Sequence, residues 1–135
     1  AEYTVRAARA GKHVLCEKPM AGTSAECRQM IDACREANRR LMIGYRVHFE
    51  PHNVEARRLI RAGALGTLRQ VAAEHAVPVD PTTPHGEWRI QQALAGGGSL
   101  WDIGIYSLNT ARFLTGEEPV EVRAIVRRPP PQTVK

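Results

Sequence analysis

Residues 13–45, HVLCEKPMAGTSAECRQMIDACREANRRLMIGY, decide the predicted fold. The stretch begins with a short apolar run, His13–Cys16, and ends with a second one, Leu41–Tyr45, each as long as a short buried strand. Between them, Thr23-Ser24-Ala25-Glu26 has the pattern of a capping box and predicts a helix that continues to about Asn38. A strand, a helix and a strand at this spacing are typical of a parallel, doubly wound α/β sheet.

The segments on either side of this stretch predict two different regions. Upstream, Ala1–Ala10 predicts a helix that ends at Gly11. Downstream, the pattern changes near residue 46 and predicts, in order, a helix over Pro51–Ala62, a strand over Thr67–Val77, a loop over Pro78–Gly86, a short helical piece before Gly96, a long helix, and a half-buried strand over Val120–Arg127. We therefore predict an α/β region followed by an α+β region. Residues 1–46 form the C-terminal part of a nucleotide-binding type of sheet domain, and residues 47–135 form part of a second domain.

The long helix lies in Gly96–Gly116, GGGSLWDIGIYSLNTARFLTG, behind a turn of three glycines. Its predicted N-cap is Ser99 and its predicted C-cap is Gly116. Asp102 and Tyr106 are four residues apart, so their side chains share one helix face, where a carboxylate beside a phenol can carry out proton chemistry. Ser99-x-x-Asp102 also fits a capping box, which is an ordinary helix start, and both interpretations stay open at this point. The residues at helical spacing that form the predicted buried stripe are Leu100, Ile103, Ser107, Leu108, Ala111 and Leu114.

Two charged residues follow the predicted strands at the edge where parallel sheets bind ligands. Lys18 comes directly after the first strand, and Pro19 holds it out of helical geometry, with a cis peptide bond as one option. Arg46 follows the second strand. Lys18 is therefore a candidate for chemistry, and a surface ion pair involving Glu17 is the competing interpretation.

Composition limits the classes of function. The chain has 135 residues, of which 43% are hydrophobic and 24% charged, as in one ordinary soluble domain with a core. No apolar stretch is long enough to cross a membrane. The net charge of +5 attracts anions, but the basic residues are scattered, aromatic residues make up only 5%, and no nucleic-acid-binding motif is present. We predict neither a nucleic-acid partner nor a membrane partner.

The cysteines and histidines do not predict a metal site. Cys16, Cys27 and Cys34 contain no C-x-x-C, so buried reduced thiols are expected rather than zinc ligands or a disulfide framework. The five histidines lack the spacing of metal ligands. Of these, His85 is the most suitable contact for a substrate, because it lies in the loop before Trp88.

Glu17-Lys18-Pro19, Gly44-Tyr45-Arg46 and the Gly96–Tyr106 segment together make a recognisable series. In their order and spacing, and over nearly the whole chain, the sequence resembles the glucose–fructose oxidoreductase/inositol dehydrogenase (Gfo/Idh/MocA) family of NAD(P)-dependent sugar and polyol oxidoreductases. The resemblance implies the C-terminal part of a Rossmann domain followed by the start of an open mixed-sheet substrate domain. The family's Gly-rich dinucleotide fingerprint and acidic ribose-binding position are absent from the sequence. We therefore expect a middle fragment of such an enzyme, inactive alone.

The resemblance also implies roles for individual residues. The family's catalytic Lys falls on Lys18 and its Asp on Asp102, while Tyr106 stands where most members have His, as in the glucose–fructose oxidoreductase branch. Lys18 would polarise the carbonyl oxygen, Tyr106 would exchange the hydroxyl proton, and Asp102 would orient the sugar hydroxyl or Lys18. The glycines would let the backbone approach the nicotinamide closely. The implied cofactor-binding residues are Glu17, Lys18, Pro19, Arg46, Trp88 and Arg89.

These implications define the expected protein. It takes NAD or NADP and a small sugar or polyol, it assembles as a homo-oligomer (a dimer or tetramer), and it is cytoplasmic, with the periplasm left open. The alternative function is a non-catalytic module that binds a sugar or a partner on the same scaffold.

Overall fold

A computed structural model shows how the chain folds and describes residues 1–125. The elements in chain order are α1 (Glu2–Arg9), β1 (Val14–Cys16), α2 (Ser24–Glu36), β2 (Leu41–Ile43), a 3₁₀ turn (Arg46–Phe49), α3 (Pro51–Arg61), α4 (Pro84–Ile90), α5 (Gln92–Ala95), a π turn (Leu100–Gly104) and α6 (Ile105–Thr115).

The predicted β–α–β unit is confirmed. Strands β1 and β2 pair in parallel, with Val14 opposite Leu41 and Cys16 opposite Ile43. Helix α2 connects them and begins as the capping pattern predicts, because the Thr23 hydroxyl oxygen accepts a hydrogen bond from the Glu26 amide at 3.2 Å. A parallel pair with its crossover helix therefore places the residues that follow both strands at one edge.

The core of this unit lies where α1 and α2 pack together over the strands. Ala8, Ala33 and Cys34 are buried, and four further apolar side chains pack against them, Val5, Val14, Ala37 and Leu41. Small side chains dominate this core and allow the two helices to approach each other closely. The prediction that all three cysteines are buried is confirmed only for Cys34, while the other two free thiols are half-buried.

The two strands predicted after residue 46 are not formed in the described part of the chain. Residues 67–77 contain no regular element, and neither do residues 120–125, whereas the last residues of the predicted Val120–Arg127 strand lie outside the described residues. A strand is stabilised by hydrogen bonds to a neighbour, and the one sheet in residues 1–125 consists of β1 and β2. Apolar and polar residues do alternate in these two segments, but within the described chain neither segment has a partner strand to pair with.

The predicted loop over Pro78–Gly86 was too long, because α4 begins inside it. The Thr83 hydroxyl accepts a hydrogen bond from the Gly86 amide at 3.1 Å, and Pro84 occupies the first turn, where a missing amide hydrogen is tolerated. Helix α4 carries Trp88 and Arg89 towards the central helix.

The central helix starts differently from its predicted form. Ser99 already has helical dihedral angles (φ −58°, ψ −31°) and its side chain caps nothing, so the predicted N-cap and capping box were wrong. A π turn over Leu100–Gly104 begins the helix instead. Such turns are frequent at functional sites. The C-cap at Gly116 is confirmed by its left-handed φ of 76°.

The predicted stripe on this helix is only partly covered. Leu100 is 55% exposed and Leu108 is 57% exposed, because the helix packs mainly against α3 and the 3₁₀ turn. Among the residues that the structure describes, no helix combines the length and the apolar character needed to cross a membrane.

Candidate active site

Lys18 reaches from the end of β1 to the start of the central helix. The Lys18–Pro19 peptide bond is cis, as the sequence allowed. The Lys18 ammonium donates a hydrogen bond to the main-chain oxygen of Asp102 and lies 3.5 Å from the carboxylate oxygen Oδ1 of the same residue. Only 13% of the Lys18 side chain is exposed. Lys18 therefore pairs across the molecule with Asp102 rather than in a surface ion pair involving Glu17.

Arg89 holds the other side of the same carboxylate. Its Nε donates to Asp102 Oδ2 at 2.8 Å, and its Nη1 donates to the main-chain oxygen of His85. The guanidinium carbon also lies 4.3 Å from the centroid of the Trp88 ring. One carboxylate thus binds two cations from distant parts of the chain, which leaves a net positive charge on the cluster formed by Lys18, Arg89 and Asp102.

The cluster keeps Asp102 ionised. Burial by itself would raise the pKa of the Asp102 carboxyl. The hydrogen bond from Arg89 and the charges of Arg89 and Lys18 outweigh that effect, so the pKa lies below its ordinary value. Asp102 is therefore a carboxylate near neutral pH and serves as an acceptor that orients the cations.

Replacing Asp102 with asparagine should destabilise the protein at neutral pH by about 1.5–3 kcal/mol, the usual cost of losing a charge-assisted hydrogen bond. Because the folded-state pKa is lowered, the carboxylate contributes stability at neutral pH and loses it as the pH falls through that pKa. The difference in free energy of unfolding between the parent protein and Asp102→Asn, measured with urea, should accordingly become smaller in acid.

Asp32 provides the matched control for this measurement. It pairs with Arg35 at 3.5 Å, but its side chain is 57% exposed, and such surface pairs contribute little. Asp32→Asn should leave the unfolding curve nearly unchanged. Equal effects of the two substitutions, or a difference for Asp102→Asn that does not depend on pH, would contradict the assignment.

Tyr106 completes the arrangement around Lys18. The Lys18 ammonium nitrogen lies 4.7 Å from the centroid of the Tyr106 ring, within the range of a cation–π contact. The ring also meets Tyr45 edge to face, with 6.3 Å between centroids. The structure therefore brings the three residues predicted as catalytic, Lys18, Asp102 and Tyr106, to one place.

Two hollows flank the cluster. The first, here called the lysine groove, has a volume of 410 Å³ and is lined by apolar and aromatic side chains, with Pro19, Met20, Trp88 and Trp101 beside Lys18. The second, here called the arginine cavity, has a volume of 260 Å³ and contains His75, Val77 and Val79 beside Arg89. Asp102 borders both hollows, with Lys18 beside the groove and Arg89 beside the cavity.

Trp101 was missed by the sequence analysis. Its ring lies against Gly96 and Gly97, where an added Cβ would come within 2.8 Å and 2.0 Å of ring atoms. The close approach expected at the glycines is thus made by a side chain of the same chain. A large aromatic residue a few positions after a run of glycines is the available signal, because only a missing Cβ leaves room for the ring.

The other predicted residues lie around the cluster at varying distance. Glu17 accepts a hydrogen bond from the Lys18 amide at 3.3 Å. Arg46 is exposed at the start of the 3₁₀ turn and makes no ion pair within the described part of the chain, so its role remains a prediction. His85 lines a further hollow next to Arg89, and its contact with a substrate also remains a prediction.

Within residues 1–125, no group of three or more His, Cys, Asp or Glu side chains is placed to hold a metal ion.

Family models match the chain in two consecutive parts. Residues 1–45 match the oxidoreductase family with an NAD-binding Rossmann fold, and residues 53–135 match the GFO/IDH/MocA C-terminal domain. The chain belongs to the GFO/IDH/MocA family. The family resemblance seen in the sequence is therefore confirmed, and so is the fold class of a Rossmann part followed by a second region.

Two relatives of this GFO/IDH/MocA chain are named as sugar dehydrogenases. D-xylose 1-dehydrogenase [NADP(+)] of Haloarcula marismortui is 41% identical over 92% of this chain and 35% of its own length. Levoglucosan dehydrogenase of Pseudarthrobacter phenanthrenivorans is 36% identical over 87% of this chain and 30% of its own. The chain spans about a third of the length of the relatives it matches.

Solved GFO/IDH/MocA structures have the same fold. An aldose-aldose oxidoreductase from Caulobacter crescentus, solved with glycerol, is 61% identical, with a TM-score of 0.78 over 87% of this chain and 34% of that one. An inositol dehydrogenase homologue from Azotobacter vinelandii, solved with NAD+, is 28% identical, with a TM-score of 0.72 over 85% of this chain and 31% of that one.

Proposed function

We propose that this protein transfers a hydride between a nicotinamide dinucleotide and a sugar or polyol. The observation that carries the proposal is the convergence of Lys18 and Asp102, which are 84 residues apart in sequence, beside the Tyr106 ring. A largely buried ammonium that is held by a carboxylate and lies over a phenol ring is a suitable set for moving a proton to or from a hydroxyl. Relatives named as sugar dehydrogenases and reductases support the reaction class.

Each residue of the set has a separate task. The Lys18 ammonium is fixed by Asp102, so it can stabilise negative charge on the oxygen of the reacting carbon at little cost in reorganisation. The Tyr106 hydroxyl exchanges the proton of the substrate hydroxyl. Asp102 holds both cations in place, and Arg89 keeps that carboxylate turned towards Lys18. Lys18, Tyr106 and Asp102 are thus the proposed catalytic residues.

The lysine groove fits a nicotinamide. Its walls are apolar and aromatic, its volume of 410 Å³ lies in the range of small-molecule sites, and Lys18 supplies one positive charge at its border. Pro19, Trp88 and Lys18 would hold the ring, and Glu17, Arg46 and Arg89 are the further proposed cofactor contacts. A bound nicotinamide supplies the hydride, while the residues of this chain orient the two reactants and exclude water from the site.

The reacting carbon of the sugar or polyol would lie beside Lys18 and Tyr106, and the rest of the molecule would extend past Asp102 towards the arginine cavity. His75 and Arg89 provide polar contacts there, and Val77 and Val79 provide an apolar wall. Asp102 then faces both reactants, with Lys18 on the side of the lysine groove and Arg89 on the side of the arginine cavity.

The remaining expectations become proposals of the same kind. We propose that residues 1–46 and 47–135 belong to different domains, and that the protein is a dimer or tetramer. Exposed apolar side chains at Val120, Val122 and Ile125 support the oligomer, and light scattering that finds a monomer would contradict it.

We also propose a cytoplasmic location. Three free cysteines favour a reducing compartment such as the cytoplasm, and a cell fractionation that finds the protein in the periplasm would contradict this.

The function is tested with the complete gene product. We expect it to reduce NAD+ or NADP+ in the presence of aldoses or polyols, as measured by the absorbance of the reduced nicotinamide, and to bind one of the two dinucleotides more tightly in calorimetry. Sugar binding without dinucleotide binding or turnover would instead establish the alternative, a non-catalytic binding module.

A further inference from the structure

A row of stacked side chains leads from the candidate site to Arg57 on α3. The Tyr45 ring stacks on His48 with 5.8 Å between centroids, and His48 stacks on Phe113 at 4.3 Å and an interplanar angle of 14°. The Arg57 guanidinium covers the outer end of the row, 4.4 Å from the Phe113 centroid. At the inner end, Tyr45 meets the edge of Tyr106. We call Tyr45, His48, Phe113 and Arg57 the aromatic row.

The aromatic row joins α6 to two consecutive elements that lie far earlier in the sequence. Tyr45 and His48 belong to the turn after β2, Phe113 belongs to α6, and Arg57 belongs to α3. Stacked and edge-to-face rings prefer defined geometries, so the row constrains how these three elements meet. Burial, partly offset by the charge of Arg112, raises the pKa of Tyr45, which keeps that phenol neutral within the row.

His48 has a second, polar connection to the helix that carries Tyr106. Its Nε2 donates a hydrogen bond to Asn109 Oδ1, since that amide oxygen can only accept. Asn109 follows Tyr106 by three residues on α6 and therefore lies on the same face of the helix, one turn along. His48 is thus connected to the part of α6 around Tyr106 in two ways. One is its hydrogen bond to Asn109, and the other is its stacking on Tyr45, which contacts the Tyr106 ring.

We propose that His48 is a positioning residue for Tyr106. By stacking on Tyr45 and bonding to Asn109, it holds the Tyr106 ring against the Lys18 ammonium, where the hydroxyl proton is exchanged. The proposal rests on the proposed function. The expected consequence of losing His48 is a lower kcat, because a displacement of a reacting group by about 1 Å can slow the reaction about a hundredfold.

Two substitutions separate the two connections. His48→Phe keeps a flat ring in the aromatic row and removes the hydrogen bond to Asn109. His48→Gln keeps a donor and removes the ring. We expect each to lower kcat of the complete enzyme by about tenfold or more and to leave KM within about twofold, since the misplaced group acts in the transition state. His52→Gln is the matched control, because that imidazole is 95% exposed and bonds only to Glu50 within the described chain.

A double-mutant cycle decides whether His48 acts through Tyr106. In the Tyr106→Phe background, the His48 substitutions should cause no further loss of kcat, because the group that they misplace is already absent. Equal losses in both backgrounds, a change confined to KM, or no change in kcat would overturn the proposal, and in each case the parent enzyme's turnover would still support the proposed function.

A structural measurement keeps the test independent of turnover. In a crystal structure of the His48→Ala protein, the Tyr106 ring should leave its position beside Lys18, while the same ring should stay in place in the His52→Gln protein. A Tyr106 ring that keeps its position in His48→Ala would overturn the inference, even if the parent protein proved to have no oxidoreductase activity.

Discussion

Replacing Lys18 with methionine should lower kcat by about 10²–10³-fold, the usual effect of removing one preorganised donor from a transition state. Methionine keeps the length and apolar stem of the side chain, so the lysine groove should keep its shape. Asp102 would still bind Arg89 at 2.8 Å, and the carboxylate would not be left without a partner. The loss should therefore appear in turnover, measured by steady-state kinetics, while calorimetry should show dinucleotide affinity changed much less.

Lys12→Met is the control for this experiment. Lys12 precedes β1 and is exposed, and it makes no ion pair in the part of the chain that the structure describes. Its substitution should leave kcat unchanged. If Lys18→Met retained full turnover, its ammonium would be only a structural partner of Asp102, and the proposed mechanism would be wrong.

Removing only the hydroxyl of Tyr106 should lower kcat by about 10²–10⁴-fold, the range typical of a lost acid–base group. Phenylalanine retains the ring, so the contact with Lys18 at 4.7 Å and the edge contact with Tyr45 should persist. Thermal unfolding should therefore be almost unchanged, which separates a chemical effect from a packing effect.

Tyr3→Phe is the matched control, because Tyr3 is 79% exposed on α1. It should behave as the parent protein in both kinetics and unfolding. If Tyr106→Phe kept a normal kcat, another group would have to exchange the proton. If kcat were normal but KM were raised, Tyr106 would be only a contact for the substrate.

Local sequence signals predicted the first half of the chain well. The Thr23 cap, the short apolar strands and the turn at Lys18-Pro19 each depend on residues close together in sequence. The cap and the turn are settled by backbone conformation and by side-chain to backbone hydrogen bonds within one turn, and the two strands pair because the helix between them is short enough to bring them side by side. The parallel pairing of β1 and β2 followed from them.

The candidate site could be predicted only in part. The spacing of Ser99 and Asp102 fits both a capping box and a functional carboxylate, and the choice depended on Lys18, 84 residues away. The stacking of His48 on Phe113 involves elements that are distant in sequence, and no local pattern indicates it. Periodicity likewise identified apolar alternation at Thr67–Val77 but could not supply the neighbouring strand that pairing requires.

The π turn over Leu100–Gly104 has a consequence for how this site can change in evolution. Asp102 lies within that turn, and Tyr106 lies just beyond it on regular helix. Deleting Ile103 or Gly104 would restore ordinary winding and change the angle around the helix axis between the Asp102 and Tyr106 side chains. The angle between carboxylate and phenol is therefore encoded by the number of residues in one turn. Single-residue insertions and deletions, rather than substitutions, are the mutations by which descendants of this chain could reorient one group while the other keeps its place.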